Sequence, residues 1–265
     1  MTNLDAILHK VQKPARYTGG EWNSIIKDWS QTPVRIALSY PDVYEIGMSN
    51  MALPILYELL NAQPDVLAER VFPPWTDMAA EMKAHGIPLF SLETKHPVGE
   101  FDMVGFSLGH EMTYTNVLEL LSLSQIPVLA AERDETQPLV IAGGTCVLNP
   151  EPIADFFDFF VIGDGEEAVL ELLPAIREWK TKKLSKQQLL REVAKLAGVY
   201  VPSLYKVEYQ PDGRLKSFIP TVPEAKPTIN KRIVRTLPAA VTKPIVSYIE
   251  TIHDRGAVEI QRGCT

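Results

Sequence analysis

Sulfur and imidazole donors are sparse in this chain. Cysteine occurs twice, at Cys146 and Cys264, too few for a disulfide framework or a complete metal site. Cys146 reads as a small buried residue, the usual state of a free cysteine. Cys264 closes the run Glu259-Ile260-Gln261-Arg262-Gly263-Cys264. His110 follows the apolar run MVGFSL, where a lone imidazole is more often a hydrogen-bonded structural residue than a ligand. Three short stretches have the composition of ligand-handling loops: Asp42-Val43-Tyr44-Glu45-Ile46-Gly47, Gly143-Gly144, and Gly163-Asp164-Gly165-Glu166. Glycine lets a bulky flat ligand approach the backbone, because it has no Cβ and accepts positive φ. Tight strand-to-helix turns ask for the same residue. A local Asx-turn or helix cap accounts for Asp42, and packing in a loop accounts for Tyr44. A helix N-terminus after such a loop can receive an anion. Here Glu166 and Glu167 complement the helix dipole and discourage one.

These loops need a frame. Val34 to Ser39 reads as a strand, and a helix pattern runs to Leu60 with Ile55, Leu56, Leu59 and Leu60 on one face. Pro54 must sit in that helix's first turn or kink it. A strand at Ala68 to Phe72, a helix around Asp77 to Ala84 and a short edge piece at Pro88 to Leu92 follow. Further strands read at Met103 to Leu108, Pro138 to Ala142 and Phe159 to Ile162, with helices at Thr115 to Ser124 and from Glu166 onward. Continuous apolar strands alternating with helices predict a five-stranded parallel sheet covered on both faces, a doubly wound α/β fold. Right-handed crossovers leave few orders, and the flavodoxin-like order 2-1-3-4-5 fits. Such a sheet binds ligands at the carboxyl ends of its strands, which gathers loops 40–49, 108–114, 143–149 and 163–166 around one crevice.

The organisation expected is an N-terminal arm over 1–33, the α/β domain over 34–180, a helix and hairpin over 181–220, a linker over 221–255, and the start of a new strand over 256–265. The hairpin turns at Pro211-Asp212-Gly213. Five prolines in 220–247 suit an extended linker, expected to be poorly anchored on its own. No apolar run approaches the roughly 20 residues that cross a bilayer, and the N-terminus lacks a signal-peptide pattern. A cytoplasmic protein with no membrane partner is the expectation. The net charge of −7 argues against non-specific nucleic-acid binding.

Glu259 to Cys264 matches the E-x-x-RGC wording that introduces the CxxxCxxC cluster loop of many radical S-adenosylmethionine (radical SAM) proteins. The domain before it resembles their cobalamin-binding domain. The whole chain also looks like the N-terminal part of an uncharacterised radical SAM family whose members begin with a KVQKPARY-like segment. The resemblance implies that Cys264 is the first thiolate of a 4Fe-4S cluster, with two more ligands four and seven positions on. The chain would then lack the catalytic barrel, which the family carries in cis, and be inactive alone. In the intact family the cluster reduces S-adenosylmethionine to a 5′-deoxyadenosyl radical.

The resemblance also implies a corrinoid or other small-molecule site at Asp42, Tyr44, Gly47, Ser107, His110, Gly143, Gly144, Gly163 and Gly165. The family's Asp-x-His-x-x-Gly reads here with Tyr44 in the histidine's place. A neutral phenol is a poor cobalt ligand, so any cobalamin is expected to bind without histidine ligation, and this chain alone is expected to hold no cofactor. His110, at the third strand's mouth, is the position from which a replacement ligand could come, set against its reading as a structural residue. The alternative is a non-catalytic interaction module that has lost cobalamin.

Overall fold

The computed structural model describes residues 4–237, 241–253 and 255–262. Five strands run parallel: β1 (Val34–Ser39), β2 (Val66–Val71), β3 (Met103–Ser107), β4 (Leu139–Gly143) and β5 (Phe159–Val161). Their order is β2-β1-β3-β4-β5, as the sequence predicts. A sixth strand, β6 (Val199–Tyr200), corrects the five-stranded expectation. It pairs antiparallel with β5 through Phe160–Tyr200 and Val161–Val199. At two residues it is too short to leave a periodic signal. The stretch 88–92 is not a strand: Phe90 makes one isolated bridge to Pro97, and Leu92 donates its N–H to the Arg70 carbonyl. The hairpin consists of β7 (Tyr205–Tyr209) and β8 (Leu215–Pro220).

The helices are α1 (Leu4–Leu8), α2 (Ala15–Thr18), α3 (Tyr44–Gly47), α4 (Ala52–Asn61), α5 (Thr76–His85), α6 (Tyr114–Leu123), α7 (Glu166–Lys182) and α8 (Lys186–Ala194). Side chains alternate across a strand, so each strand feeds two cores. One face presents Ala37, Val104, Phe106, Val140 and Phe160 to α1, α5 and α6. The other presents Ile36, Leu38, Met103, Ile141 and Val161 to α4, α7 and α8. Pro54 lies in the first turn of α4, where a missing N–H costs nothing.

Residues 221–237 and 241–253 are extended but not a loose tether, which corrects the expectation of poor anchoring for that stretch. Ala225 is buried, and Lys226 donates to the carbonyls of Lys195 and Leu196. The N–H of Arg232 donates to the Ile162 carbonyl at 2.9 Å, and its carbonyl accepts from Asp164 N–H at 3.1 Å. Its guanidinium reaches Glu171 and Glu167 on α7. Further on, Val246 bridges to Trp22 and Thr242 bonds Glu58. Prolines keep this strap out of helices and central strands, but single anchoring contacts leave no periodicity to read.

Candidate functional site

A slot of about 310 Å³ opens at the carboxyl ends of the strands, between the sheet and helices α4 and α7. Its floor is built by alternate strand residues, Ile36 and Leu38, Met103 and Gly105, and Ile141, all on the sheet face that packs on those helices. Leu53, Ile55 and Leu56 of α4 and Val169 of α7 close the sides. Gly105 sits in the middle of β3, where any side chain would fill the space. Ser39 and Ser107 end their strands at the slot, and the Ser39 hydroxyl is fully buried with no hydrogen-bond partner among the described residues. A buried hydroxyl left unpaired costs about 1–3 kcal/mol, and alternation along β1 turns the Ser39 side chain to the Ala37 face, away from the slot.

At the rim stand Gly143, Gly144, Gly163, Asp164, Gly165 and Glu166, together with Glu259 and Arg262. The Arg262 guanidinium donates to both oxygens of Glu259, at 2.6 and 2.8 Å, bonds Glu166, and lies 3.4 Å from Asp164. Those hydrogen bonds hold the Arg262 proton more firmly than usual and hold the Glu259 carboxyl below the ordinary carboxylate range. The rim therefore carries three carboxylates against one guanidinium.

Of the sequence-predicted site residues, Ser107, Gly143, Gly144, Gly163 and Gly165 line this slot; Asp42, Tyr44, Gly47 and His110 do not. Gly163 has a second reason for its identity. Its φ is +98°, and a Cβ there would stand 2.2 Å from the Arg232 carbonyl oxygen of the returning strap. At Gly144, with φ +105°, a Cβ would stand 2.5 Å from the Leu108 carbonyl oxygen. Asp42 accepts the N–H of Val43, a local turn contact.

Tyr44 is 2% exposed, stacks edge-on against Phe72, and donates its hydroxyl to Glu21 at 2.8 Å. Burial pushes its phenol well above the ordinary range. Glu21 in turn pairs with Arg70, itself bonded to Glu93, in an ion-pair group with side chains no more than 1% exposed. The loop expected to present a cofactor ligand is thus locked into a structural knot. His110 is exposed at the end of β3, beside a loop tied to 143–149 by the Thr145 hydroxyl on the Gly109 carbonyl. Cys146 is buried as expected, and burial, then Glu111, pushes its thiol up. Cys264 lies outside the described residues.

Sequence reasoning missed Gly105, Ser39, the α4 wall and the role of Arg262. Gly105 did carry a signal, since a lone glycine inside a strand marks a close approach or a missing side chain. Among the described residues no group of three metal-binding side chains gathers, and no helix is long and apolar enough to cross a membrane.

A protein of Methanocaldococcus jannaschii, itself uncharacterized, is 23% identical over 161 residues, covering 60% of this chain. The match spans 30% of that protein's length. No solved structure matches the chain. The family model described as radical SAM proteins, N-terminal, matches residues 52–202, from the first turn of α4 past β6. That stretch contains the slot's helical walls and three of its strands, and with it the chain belongs to the radical SAM N-terminal family.

Proposed function

We propose that this chain is the N-terminal, ligand-binding portion of a radical SAM enzyme, and that its slot receives the narrow heterocyclic end of a cobalamin-type cofactor. The observation that carries this reading is the slot itself: apolar walls, a glycine at its centre, and a rim that includes Glu259 and Arg262, which lead to Cys264. A flat heterocycle fits such walls. Lower ligation from the 42–47 loop does not fit, because the Tyr44 ring is committed to Glu21 and Phe72. Cys264 would be one thiolate of a 4Fe-4S cluster. Such a cluster, when bound, supplies the electron that cleaves S-adenosylmethionine. The residues described here bind and orient; they take no part in that cleavage.

The test is gel filtration of the full chain with hydroxocobalamin, read by the visible spectrum. Co-elution without a histidine-ligated spectrum, lost on Gly105→Val, is the expected result. Absence of co-elution at any concentration would refute it. The second reading, an interaction module without cofactor, is favoured by the buried knot around Tyr44 and would then stand.

A further inference from the structure

Among the described residues, the polar side chains that line the slot stand at its mouth. Its floor is built from two rows of paired strand residues. Leu38, Gly105 and Ile141 lie side by side, and Ile36 beside Met103 forms the next row towards the amino ends of the strands. β1, β3 and β4 each have a strand on both sides, so their main-chain N–H and C=O groups are taken up by the ladders. The α4 wall adds Leu53, Leu56 and Leu60, and α7 adds Val169. Of these side chains only the Met103 thioether accepts a hydrogen bond, and weakly. Ser107 ends β3 at the open side, and the charged groups stand at the rim. A heterocycle that enters such a slot keeps its polar atoms at the mouth or strands them against hydrocarbon.

We infer that the slot selects among heterocycles by what they carry on the edge that enters first, and takes an alkyl-substituted benzimidazole in preference to a purine. The inference rests on the proposed ligand-binding reading of the slot. Either ring joins the rest of a cobalamin-type ligand through its imidazole end, so the six-membered ring leads. In dimethylbenzimidazole that ring carries two methyl groups, which meet the row of Leu38, Gly105 and Ile141. In adenine it carries ring nitrogens and an exocyclic amine, which lose water on entry and find no partner on the floor. The two bicycles are alike in shape, so the missing hydrogen bonds make the difference. An apolar pocket rejects a polar isostere by about a hundredfold at most, and about thirtyfold is expected here.

The test uses the full chain and two pairs of ligands: hydroxocobalamin against its analogue with adenine as the lower base, and free 5,6-dimethylbenzimidazole against free adenine. Corrinoid binding is read by the visible spectrum in equilibrium dialysis, and base binding from the methyl NMR signals of Ile36, Leu38 and Ile141. The dimethylbenzimidazole member of each pair should bind about thirtyfold tighter, and the free base should shift those methyl signals. Gly105→Val should remove binding of the free base, which places it in the slot. Met103→Gln, which sets an amide into the floor, should narrow the preference about tenfold; if that variant does not fold, the two ligand pairs decide alone. Both corrinoids binding alike overturns the selection and leaves the cofactor reading standing. Neither corrinoid binding, while the free bases discriminate as expected, overturns the cofactor reading and leaves the selection standing. Free adenine that shifts the slot methyls as tightly as dimethylbenzimidazole, or discrimination that survives Gly105→Val, overturns the selection outright.

Discussion

Gly105→Val should make this protein more stable and empty its slot of function. A Cβ built on Gly105 would meet Leu38 Cδ2 at 3.6 Å and Ile141 Cγ1 at 3.7 Å, ordinary contact distances. Beyond that Cβ lies the slot, so two further methyl groups have room. Three added carbons, at about 0.8 kcal/mol for each one buried, contribute about 2 kcal/mol. Removing a strand-interior glycine recovers roughly 0.5–1 kcal/mol of backbone entropy. Ordering the valine side chain costs about 0.5 kcal/mol. The net gain is about 2 kcal/mol, equivalent to roughly 4–8 °C in Tm for a domain of this size. Urea denaturation should show a higher midpoint with an unchanged slope, the sign of altered stability rather than an altered denatured state. Ligand affinity should fall by two orders of magnitude or more. A lowered midpoint would mean that the space beside Gly105 is not available in solution, and the slot-based argument would fail with it. A stabilising change that a protein has not adopted is the expected mark of a functional cavity.

Three other perturbations follow from the buried charges. Burial pushes Lys95 down to about 8 from an ordinary 10.5. Between those values the unfolded chain holds a proton that the folded one lacks, so stability should rise with pH from about 8 to 10; a flat urea midpoint over pH 7.5–9.5, or the same slope in Lys95→Met, would refute this. Asp158 is fully covered and accepts from Arg133 and the Val140 N–H, with Lys186 at 2.6 Å. Asp158→Asn should therefore cost about 3–5 kcal/mol by stranding two cations, a loss that equilibrium denaturation would read directly. Tyr44→Phe should cost about 1–2 kcal/mol through the donor lost to Glu21 while leaving slot affinity unchanged, and Tyr44→His should give no histidine-ligated cobalamin spectrum.

The frame was readable because parallel strands buried on both faces are written as continuous apolar runs, VRIALS and PLVIA among them, each ending at a loop. The residues with special backbone roles were readable for the same reason: Gly144 and Gly163 stand where only glycine fits, although at Gly163 a Cβ would meet the chain's own Arg232. What the pattern did not carry was side-chain direction over long separations. Tyr44 sits at the family's ligand position, yet Glu21 and Ser247, 23 and 203 residues away, turn it into a packed residue. Local sequence holds no record of such partners. The slot escaped for a related reason, being the space left between α4, α7 and one sheet face, with Gly105 its single mark in the chain.

The electrostatics of the rim bear on what kind of molecule the slot can take. Glu166 and Glu167 open α7, where the helix dipole would otherwise attract an anion, and Asp164 precedes them. Arg232 already neutralises Glu167 and Glu171, and Arg262 is shared by Asp164, Glu166 and Glu259. Among the described residues no cation at this rim is left for a phosphate. On the proposed reading the apolar walls favour an uncharged ring, with a ligand's anionic parts beyond the rim. Arg262, which makes the rim tolerable to the surrounding carboxylates, is therefore the residue that any ligand at the rim would meet already paired.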